Sequence, residues 1–440
     1  MRVWLITVGE PLPTDAENVR LMRTGIVAEM LASRGHDVVW WTSTVNHKMK
    51  SRRFAADTTL KVKERYRITL LHGADYQKNI SLRRIANHIG VARGFRAASR
   101  TEPRPDVILC SLPTLELSHE ATVYGRRHNV PVILDVRDLW PDIFVDIAPR
   151  WGRGIARALL TPMYRSAHQS CARATAITGI TSEIVDWGVR VARRARGPLD
   201  RDFPLAYMQK APEQSQQEQA RRFWEQHGIH ANSDTFVACF FGSLGSQFDM
   251  EPVLEAAGRL SADRRNIRFV ICGAGAQLES YRAQTANCPN VLLPGWIGAA
   301  EIWTLMRMAS AGFAPYVNRF DFTASLPNKS IEYLSAGLPV LTGLQTGVLK
   351  DLLEAEECGF VYSDAAELEG HLQALYDDTD RQRRAADNAR AVYERRFVGE
   401  NVYGDMCDYL ETVAMQGRSP FAAVRRDQTV RSRDNDEARV

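Results

Sequence analysis

Residues 314–343, APYVNRFDFTASLPNKSIEYLSAGLPVLTG, predict the end of a strand, a loop, a short helix and a buried strand in succession. Pro327 suits the first turn of the helix, because the N–H that proline lacks would have no partner there. Gly337 can adopt the left-handed conformation that ends a helix, and Pro339 discourages its continuation. This order of elements is typical of an α/β fold.

The short helix is expected to have one apolar and one polar face. Asn328, Lys329 and Glu332 share a face at spacings of three and four residues, whereas Ile331 and Leu334 would face a core. Free amides and a positive dipole at the start of a helix attract anions, and Lys329 adds a charge there. Because a carboxylate such as Glu332 can accept from a sugar diol, the pattern indicates a nucleotide-sugar site. A solvated Lys329–Glu332 pair in an ordinary α/β protein fits the same spacing.

A resemblance favours the first interpretation. Residues 327–341, PNKSIEYLSAGLPVL, resemble the donor-site signature of family 4 glycosyltransferases, and more narrowly the WbuB-like branch of bacterial surface-polysaccharide sugar transferases. The resemblance implies a GT-B fold, with two Rossmann-like domains facing across a cleft and a C-terminal helix crossing back to the first domain. The implied bounds are an acceptor domain at 1–198, a donor domain at 199–385 and the returning helix at 386–415. The polar, arginine-rich residues 416–440 predict a disordered tail.

The composition agrees with a two-domain soluble protein. The chain has 440 residues, of which 45% are hydrophobic and 25% are charged, and no stretch approaches the roughly 20 apolar residues that span a bilayer. The seven cysteines form no C-x-x-C pair and no zinc-ligand spacing, which predicts reduced thiols and no metal site. We expect a cytoplasmic protein that needs neither a cofactor nor a metal.

Charge is distributed unevenly along the chain. Residues 1–200 hold 31 Lys and Arg against 19 Asp and Glu, whereas the whole chain has a net charge of only +4. A basic half indicates an anionic partner. Because no nucleic-acid recognition module is recognisable, an anionic lipid or a phosphorylated acceptor fits better than nucleic acid.

Two basic segments carry apolar residues at helical spacing, residues 81–96 and 151–165. Leu82, Ile85 and Ile89 share one face in the first segment, and the second has a similar face that includes Trp151. Such a helix can lie on an anionic membrane surface or can pack on its own sheet. The family resemblance would add docking on the inner face of the cell membrane.

The first half also predicts a parallel sheet wrapped in helices, because apolar runs alternate with amphipathic stretches. The candidate strands are Val3–Val8, Asp37–Thr42, Arg67–His72, Asp106–Cys110, Val132–Val136 and Thr175–Thr178. Residues 132–142, VILDVRDLWPD, place acids and an arginine at the carboxyl end of a strand, where open α/β sheets bind ligands. The Arg-Asp-Leu-Trp-Pro core of this stretch matches the WbuB-like branch. Asp138 or Arg137 would orient the acceptor or Arg137 would meet the diphosphate, unless a buried Asp–Arg pair merely fixes the loop.

The resemblance implies the remaining site residues. The donor site would comprise Gly9, Gly242, Ser243, Gly273, Gly275, Trp296, Ser325, Leu326, Pro327, Asn328, Lys329 and Glu332. The acceptor site would comprise Glu10, Asn18, Arg137 and Asp138, and Asp138, Lys329 and Glu332 would be catalytic. Trp296 would frame the base or pack in the core.

Two family features are missing from this chain. The loop that often bears a functional histidine reads Ser-Leu-Pro-Thr at 111–114, and His119, the nearest histidine, is expected to be structural. The first glutamate of the donor motif is replaced by Ala324, so that Ser325, Asp321 or main-chain amides would contact the transferred sugar.

The sequence therefore predicts a metal-independent, retaining glycosyltransferase. A UDP-sugar is the favoured donor, a hexosyl or N-acetylhexosaminyl unit the transferred group, and a glycan or polyprenyl-linked molecule the acceptor in polysaccharide or lipopolysaccharide biosynthesis. Two alternatives stay open, a non-catalytic GT-B partner subunit and a GT-B sugar-nucleotide epimerase.

Overall fold

A computed structural model describes residues 1–16, 19–231, 233–263 and 265–418. The chain divides into two compact units, of which the first comprises Met1–Phe203 and the residues from Tyr403 onward. The second unit is Pro204–Val402. The chain therefore passes from one unit to the other after Phe203 and again after Val402. The sequence suggests that the two domains end at residues 198 and 385.

The first unit contains one large sheet. Its strands and those of a small neighbouring pair are β1 (Arg2–Ile6), β2 (Asp37–Ser43), β3 (Val45–Asn46), β4 (Ser51–Arg52), β5 (Thr58–Lys63), β6 (Tyr66–Leu71), β7 (Val107–Leu112), β8 (Val132–Val136), β9 (Ala176–Gly179) and β10 (Arg201–Asp202). The sheet order is β10-β9-β8-β7-β1-β2-β6-β5, and β3 pairs with β4 separately. Its strands are parallel except that β5 runs antiparallel to β6. The six strands expected from apolar runs are all present.

Helices cover the faces of this sheet. They are α1 (Arg23–Ser33), α2 (Leu82–Ala98), α3 (Leu115–His128), α4 (Asp142–Ile147), α5 (Arg153–Leu159), α6 (Thr161–Arg173) and α7 (Ser182–Ala192), with a 3-10 turn at Arg150–Gly152. Below α2 and α3, Trp4 packs against Trp41 and Tyr124 with ring centroids 5.1 and 4.8 Å apart. Aromatic packing of this kind buries large apolar area and fixes the helices on the sheet.

The second unit has a smaller, fully parallel sheet. Its strands are β11 (Phe236–Phe241), β12 (Ile267–Cys272), β13 (Val291–Gly295), β14 (Ala311–Ala314), β15 (Val340–Thr342) and β16 (Gly359–Val361), in the order β13-β12-β11-β14-β15-β16. Its helices are α8 (Gln214–Gln226), α9 (Glu251–Leu260), α10 (Leu278–Gln284), α11 (Ala299–Met308), α12 (Phe320–Thr323), α13 (Asn328–Ser335), α14 (Val348–Ala355), α15 (Ala365–Asp377) and α16 (Thr379–Arg396).

Both sheets reverse their winding direction once. The reversal falls between β1 and β7 in the first unit and between β11 and β14 in the second. In doubly wound sheets the loops at the carboxyl ends of such strands form the ligand site. The loops after β1, β7, β11 and β14 are therefore the ones in which a site is expected.

The stretch at 314–343 folds nearly as the sequence predicts. Helix α13 begins at Asn328, so that Pro327 lies immediately before it and not inside its first turn. Gly337 has a φ of +73° after the end of the helix, in the left-handed region that glycine tolerates best.

The last helix, α17 (Gly399–Arg418), returns the chain to the first unit. Met406, Leu410 and Val413 on this helix are buried, as the GT-B prediction requires of a helix that braces the first domain. Across the described ranges, no helix combines the length and the apolar character needed to cross a membrane. Residues 416–418, predicted as the start of a disordered tail, instead belong to α17, and the rest of that tail, residues 419–440, lies outside the described residues.

Candidate functional site

Two glycine turns meet at the carboxyl ends of β11 and β12. Gly242 and Gly273 have φ values of +154° and +152°. A Cβ on Gly273 would lie 1.8 Å from the carbonyl oxygen of Gly242, and a Cβ on Gly275 would lie 2.2 Å from that of Leu244. The amide of Leu244 donates to the carbonyl of Ala274 at 2.9 Å. The two turns therefore pack backbone against backbone, which only glycine allows.

Lys329 reaches the first of these turns from α13. A Cβ placed on Gly242 would lie 2.6 Å from Nζ of Lys329. The same ammonium lies 4.8 Å from the ring centroid of Phe248, which suits a cation–π contact. The structure thus brings together a lysine, the start of a helix and a glycine turn, a set of groups that favours an anion.

Glu332 lies on the buried side of α13. Glu332 is only 5% exposed. The alternative hypothesis, in which Lys329 and Glu332 form a solvated pair, is therefore wrong. Burial, together with the charge of Glu332, raises the pKa of Tyr316 above its usual range. Tyr333, the next residue, packs its ring against Gly312 of β14, where a Cβ would lie 2.4 Å from it.

The groups suggested as substitutes for the missing glutamate already have partners. Asp321 forms a two-pronged ion pair with Arg319, with both N–O distances at 2.6 Å. The hydroxyl of Ser325 donates to the carbonyl of Asp321 at 2.8 Å. Ala324 itself is buried. The loop before α13 is therefore internally braced.

The other donor-site candidates lie on the same side of the second sheet. The hydroxyl of Ser243 accepts a hydrogen bond from the side-chain amide of Gln247 at 2.9 Å. Leu326 and Pro327 are buried, whereas Asn328 is exposed. Trp296, after β13, is 67% exposed, so the alternative that it packs in the core is wrong.

In the first unit, Arg137 belongs to a buried ionic network. Its Nε donates to Asp135 at 2.8 Å, and its Nη1 pairs with Glu10. Arg23 donates to Asp135 at 3.0 Å, and Thr24 donates to Glu10 through its hydroxyl at 2.9 Å. Burial alone would raise the pKa of Asp135, but the charges of Arg23 and Arg137 outweigh it and lower that pKa. Arg137 and Asp135 thus form a buried Asp–Arg pair. Such a pair is the alternative that the sequence leaves open to a role of Arg137 in ligand binding.

Asp138, the next residue, is exposed. Gly9 has a φ of +98° in the loop after β1, and a Cβ there would lie 3.6 Å from His47. Asn18 lies outside the described residues. Of the predicted acceptor residues, Glu10 and Arg137 therefore stabilise the loops after β1 and β8, whereas Asp138 faces solvent.

Sequence reasoning missed a cluster beside Gly9. Nδ1 of His47 lies 2.7 Å from the hydroxyl of Tyr76 and 3.4 Å from Nζ of Lys50. The guanidinium of Arg84 lies 4.9 Å from the ring centroid of Trp140. A signal was present, since lysines at 48 and 50 and arginines at 83 and 84 each flank apolar residues, but nothing local indicates that the two segments meet.

His119 lines a groove between α2, α3 and α6 and lies 3.3 Å from Nη1 of Arg173. Burial, followed by the charge of Arg173, lowers its pKa. Nothing in this arrangement connects His119 with the loops after β1 and β8.

The two basic segments expose their apolar faces. Leu82 is 84% exposed, and Ile85 and Ile89 on the same helix are also exposed. In the second segment Trp151, Ile155 and Leu159 are exposed, and α5 buries none of its residues. Packing on the sheet, the alternative for these faces, is therefore wrong for these side chains.

Asp200, which begins an Asp-x-Asp sequence, is held in a structural role. It pairs with Arg194 and accepts from the amide of Ile177 at 2.8 Å. In the part of the chain that the structure describes, no group of three or more His, Cys, Asp or Glu is arranged to hold a metal ion.

Residues 222–392, which lie within the second unit, match the family model described as glycosyl transferases group 1. A comparison with curated protein sequences gave no match.

Solved structures with the same fold span nearly the whole chain. Sucrose-phosphate synthase from Thermosynechococcus elongatus superposes with a TM-score of 0.70 at 15% identity, covering 94% of this chain and 98% of that one. HepE from Anabaena in complex with UDP gives 0.62 at 14% identity, covering 93% and 99%. WaaG, a glycosyltransferase involved in lipopolysaccharide biosynthesis, gives 0.58 at 14% identity, covering 93% and 99%. The fold is therefore GT-B, and the match of the second unit supports a GT-B glycosyltransferase.

Proposed function

We propose that the protein is a retaining, metal-independent glycosyltransferase of the WbuB-like branch. It moves a hexosyl or N-acetylhexosaminyl unit from a nucleoside-diphosphate sugar, with a UDP-sugar as the favoured donor. The acceptor is a glycan or a lipid-linked molecule in cell-surface polysaccharide biosynthesis. The observation that carries the proposal is the ammonium of Lys329 directly above the turn at Gly242.

The second unit would bind the donor diphosphate. Lys329 offers positive charge beside the start of α13 and the turn at Gly242. Preorganised positive groups of this kind stabilise the negative charge that develops on a leaving group. Lys329 would therefore provide the positive charge that a divalent cation provides in metal-dependent enzymes. HepE, which has the same fold, is described in complexes with UDP and with UDP-glucose.

Glu332 would anchor the ribose, because a buried carboxylate accepts strongly from a diol. In the proposed retaining reaction, the departing phosphate itself takes the proton of the acceptor hydroxyl. Asp138 in the first unit orients that hydroxyl. The buried network around Arg137 holds the Asp138 loop in place.

The first unit would work at the inner face of the cell membrane, with the protein otherwise cytoplasmic. The exposed apolar residues of α2 and α5 stand next to exposed arginines such as Arg93 and Arg153. Basic amphipathic surfaces bind anionic lipid headgroups while their apolar side chains enter the acyl boundary. This location would bring the protein to a lipid-linked acceptor.

Thermal unfolding in the presence of uridine, guanosine and adenosine diphosphates and their sugar conjugates, without metal, tests the donor site. A ligand at a hundred times its dissociation constant adds about 2.7 kcal/mol of stability. We expect UDP and one UDP-sugar to respond and Lys329→Ala to abolish the response. Lys350→Ala removes an equal charge from α14, where Lys350 pairs with Glu354, and should leave the response intact.

A flat response to all nucleotides would contradict the proposal and favour the non-catalytic partner subunit. Conversion of a UDP-sugar into its epimer without any acceptor, followed by NMR, would instead favour the epimerase. Retention of the anomeric configuration in a transfer product would support the retaining reaction.

A further inference from the structure

Two cations converge in the first unit between β3–β4 and the start of α2. Lys50 lies in the turn between those two strands, and its Nζ donates to the side-chain oxygen of Asn79. Nη1 of Arg84 donates to the main-chain carbonyl of the same Asn79 at 2.6 Å. A single exposed asparagine thus holds both positive groups at one point of the surface.

These two cations are not neutralised by a salt bridge. Within the described ranges, the structure places no carboxylate oxygen within 4.0 Å of Nζ of Lys50 or of the guanidinium of Arg84. Nε of Arg84 is buried and has no hydrogen-bond partner.

Electrostatics agree with this geometry. Burial, followed by the charge of Arg84, lowers the pKa of Lys50. Burial also lowers the pKa of Arg84, and the charge of Asp138 acts in the opposite direction. Burial and the charges of Lys50 and Arg84 lower the pKa of His47 to about 4, so that His47 is neutral at pH 7. The cluster therefore has the surplus positive charge that an anion would relieve.

The position of Arg84 on α2 adds to this surplus. Arg83 and Arg84 lie in the first turn of a helix of 17 residues, which has no acidic residue there. The N-terminus of a helix carries positive partial charge and favours anions. Two arginines at this end are unfavourable unless an anion joins them.

The cationic pair lies next to the loops assigned to the acceptor. Arg84 rests on Trp140, two residues after Asp138. His47, which contacts Lys50, lies against Gly9. An anion held by Lys50 and Arg84 would therefore lie close to the proposed acceptor group Asp138.

Exposed apolar side chains surround the pair. Met49 is 70% exposed, Ile80 is 63% exposed, and Leu82 follows on α2. A site for a free, fully hydrated anion has no need of such neighbours, whereas an anion attached to a hydrocarbon chain would bury them.

We propose that Lys50 and Arg84 bind the phosphate of a lipid phosphate or lipid diphosphate whose hydrocarbon chain covers Met49, Ile80 and Leu82. The proposal rests on the proposed function, because this lipid is the acceptor or carries it. Lys50 and Arg84 act as positioning residues that fix the phosphate, and they take no part in the transfer of the sugar. His47 and Tyr76 support the loop that carries Lys50.

The test is binding of the full chain to neutral phosphatidylcholine vesicles that contain a polyprenyl diphosphate, measured by flotation. We expect binding at least tenfold tighter than to phosphatidylcholine alone. Loss of one charge-assisted hydrogen bond corresponds to roughly tenfold or more in affinity, so Lys50→Gln and Arg84→Gln should each lose about that much.

Lys48→Gln and Arg83→Gln are the matched controls. Both residues are exposed and each lies within two positions of its counterpart, so the net charge changes equally. The proposal predicts that the controls stay within about twofold of the unchanged protein. Equal losses in all four variants would overturn it in favour of nonspecific surface charge. Inorganic diphosphate that competes as strongly as the lipid would overturn the assignment to a lipid.

Nucleotide binding separates this proposal from the donor site. Lys50→Gln and Arg84→Gln should keep the thermal response to UDP, which reports on the second unit. Suppose that Lys329→Ala loses the response to UDP but Lys50→Gln binds the lipid as well as the unchanged protein does. That result would contradict the lipid site and leave the donor site supported. If UDP caused no thermal shift but the protein bound the lipid diphosphate selectively, the proposed donor would be contradicted and the lipid site supported.

Discussion

Close backbone packing at Gly273 allows a sharp test at the level of a single residue. A methyl group there would overlap the carbonyl of Gly242 at 1.8 Å, and the φ of +152° disfavours any other residue. We expect Gly273→Ala to lower the free energy of unfolding by about 3 kcal/mol, the upper range for overpacking. Urea unfolding measures it.

Gly370→Ala is the control for this substitution. Gly370 lies within α15, and a Cβ there would meet nothing within 4 Å. Because alanine favours helices over glycine, this variant should be more stable by up to about 1 kcal/mol. Similar losses in both variants would contradict the close packing of the two glycine turns.

His88 provides a second prediction at this scale, on pH. Burial, followed by the charges of Arg84 and His47, lowers the pKa of His88 to about 3. An unfolded histidine titrates near 6.5, so below that pH the unfolded chain binds a proton that the folded chain does not. The stability of the first unit should therefore fall as pH drops from about 6.5 toward 3, by up to about 1.4 kcal/mol per pH unit for this residue.

Thermal unfolding between pH 7 and 4 should show this slope. His88→Gln should reduce this slope whatever its effect on stability at pH 7, because glutamine does not titrate, and the slope that remains is that of other groups such as His47, whose pKa is also lowered. A slope as steep in His88→Gln as in the unchanged protein would assign the pH dependence to other groups.

Sequence alone indicated some of these residues and not others, for a physical reason. Lys329 and Gly242 carry local signals, a lysine in the first turn of a helix and a glycine after a buried strand. The burial of Glu332 depends on how α13 packs against β14, and the meeting of Lys50 with Arg84 depends on a fold that joins positions 34 residues apart. No local pattern encodes such contacts.

At the level of secondary structure, helix α5 adopts the exposed one of the two arrangements that its sequence left open. Its seven residues include none that is buried, although Ile155 and Leu159 are apolar. The buried strands were predictable because parallel strands form continuous apolar runs. Strand β5 was not, since Thr58–Lys63 alternates between exposed and half-buried residues at the edge of the sheet. Exposure of an amphipathic helix cannot be read from its periodicity, which is the same on a membrane and on a sheet.

Helix α5 should contribute to membrane binding without contributing to stability. Burying one Ile or Leu side chain is worth about 1.5–3 kcal/mol, so Ile155→Ser and Leu159→Ser should each weaken flotation with anionic vesicles about tenfold or more. The unfolding temperature should stay unchanged. Met415→Ser, at an exposed position on α17, is the control and should bind vesicles normally. Lower thermal stability in the α5 variants would mean that the helix packs on the protein.

At the level of the whole molecule, the GT-B fold followed from a resemblance that spans nearly the whole chain but has few specific motifs, and comparison with solved structures confirms it. What the sequence placed less well is the point at which the chain returns. Helix α16 carries a strongly polar sequence and remains in the second unit, and only the residues from Tyr403 belong to the first. Periodicity does not distinguish these two helices, because both alternate buried and exposed residues.

The return of the chain makes the stability of the first unit depend on the end of the sequence. Leu410 on α17 is fully buried, and truncation of a buried leucine to alanine costs about 2–5 kcal/mol. We expect Leu410→Ala to lower the unfolding transition of the first unit while the affinity for UDP, a property of the second unit, changes less than about twofold. Calorimetry with and without saturating UDP distinguishes the two transitions, since UDP raises only that of the unit that binds it. Met415→Ala, at an exposed position on the same helix, should change neither transition by more than about 0.5 kcal/mol. If Leu410→Ala instead lowered the transition that responds to UDP, the end of α17 would have to support the donor unit, and the assignment of these residues to the first unit would be wrong.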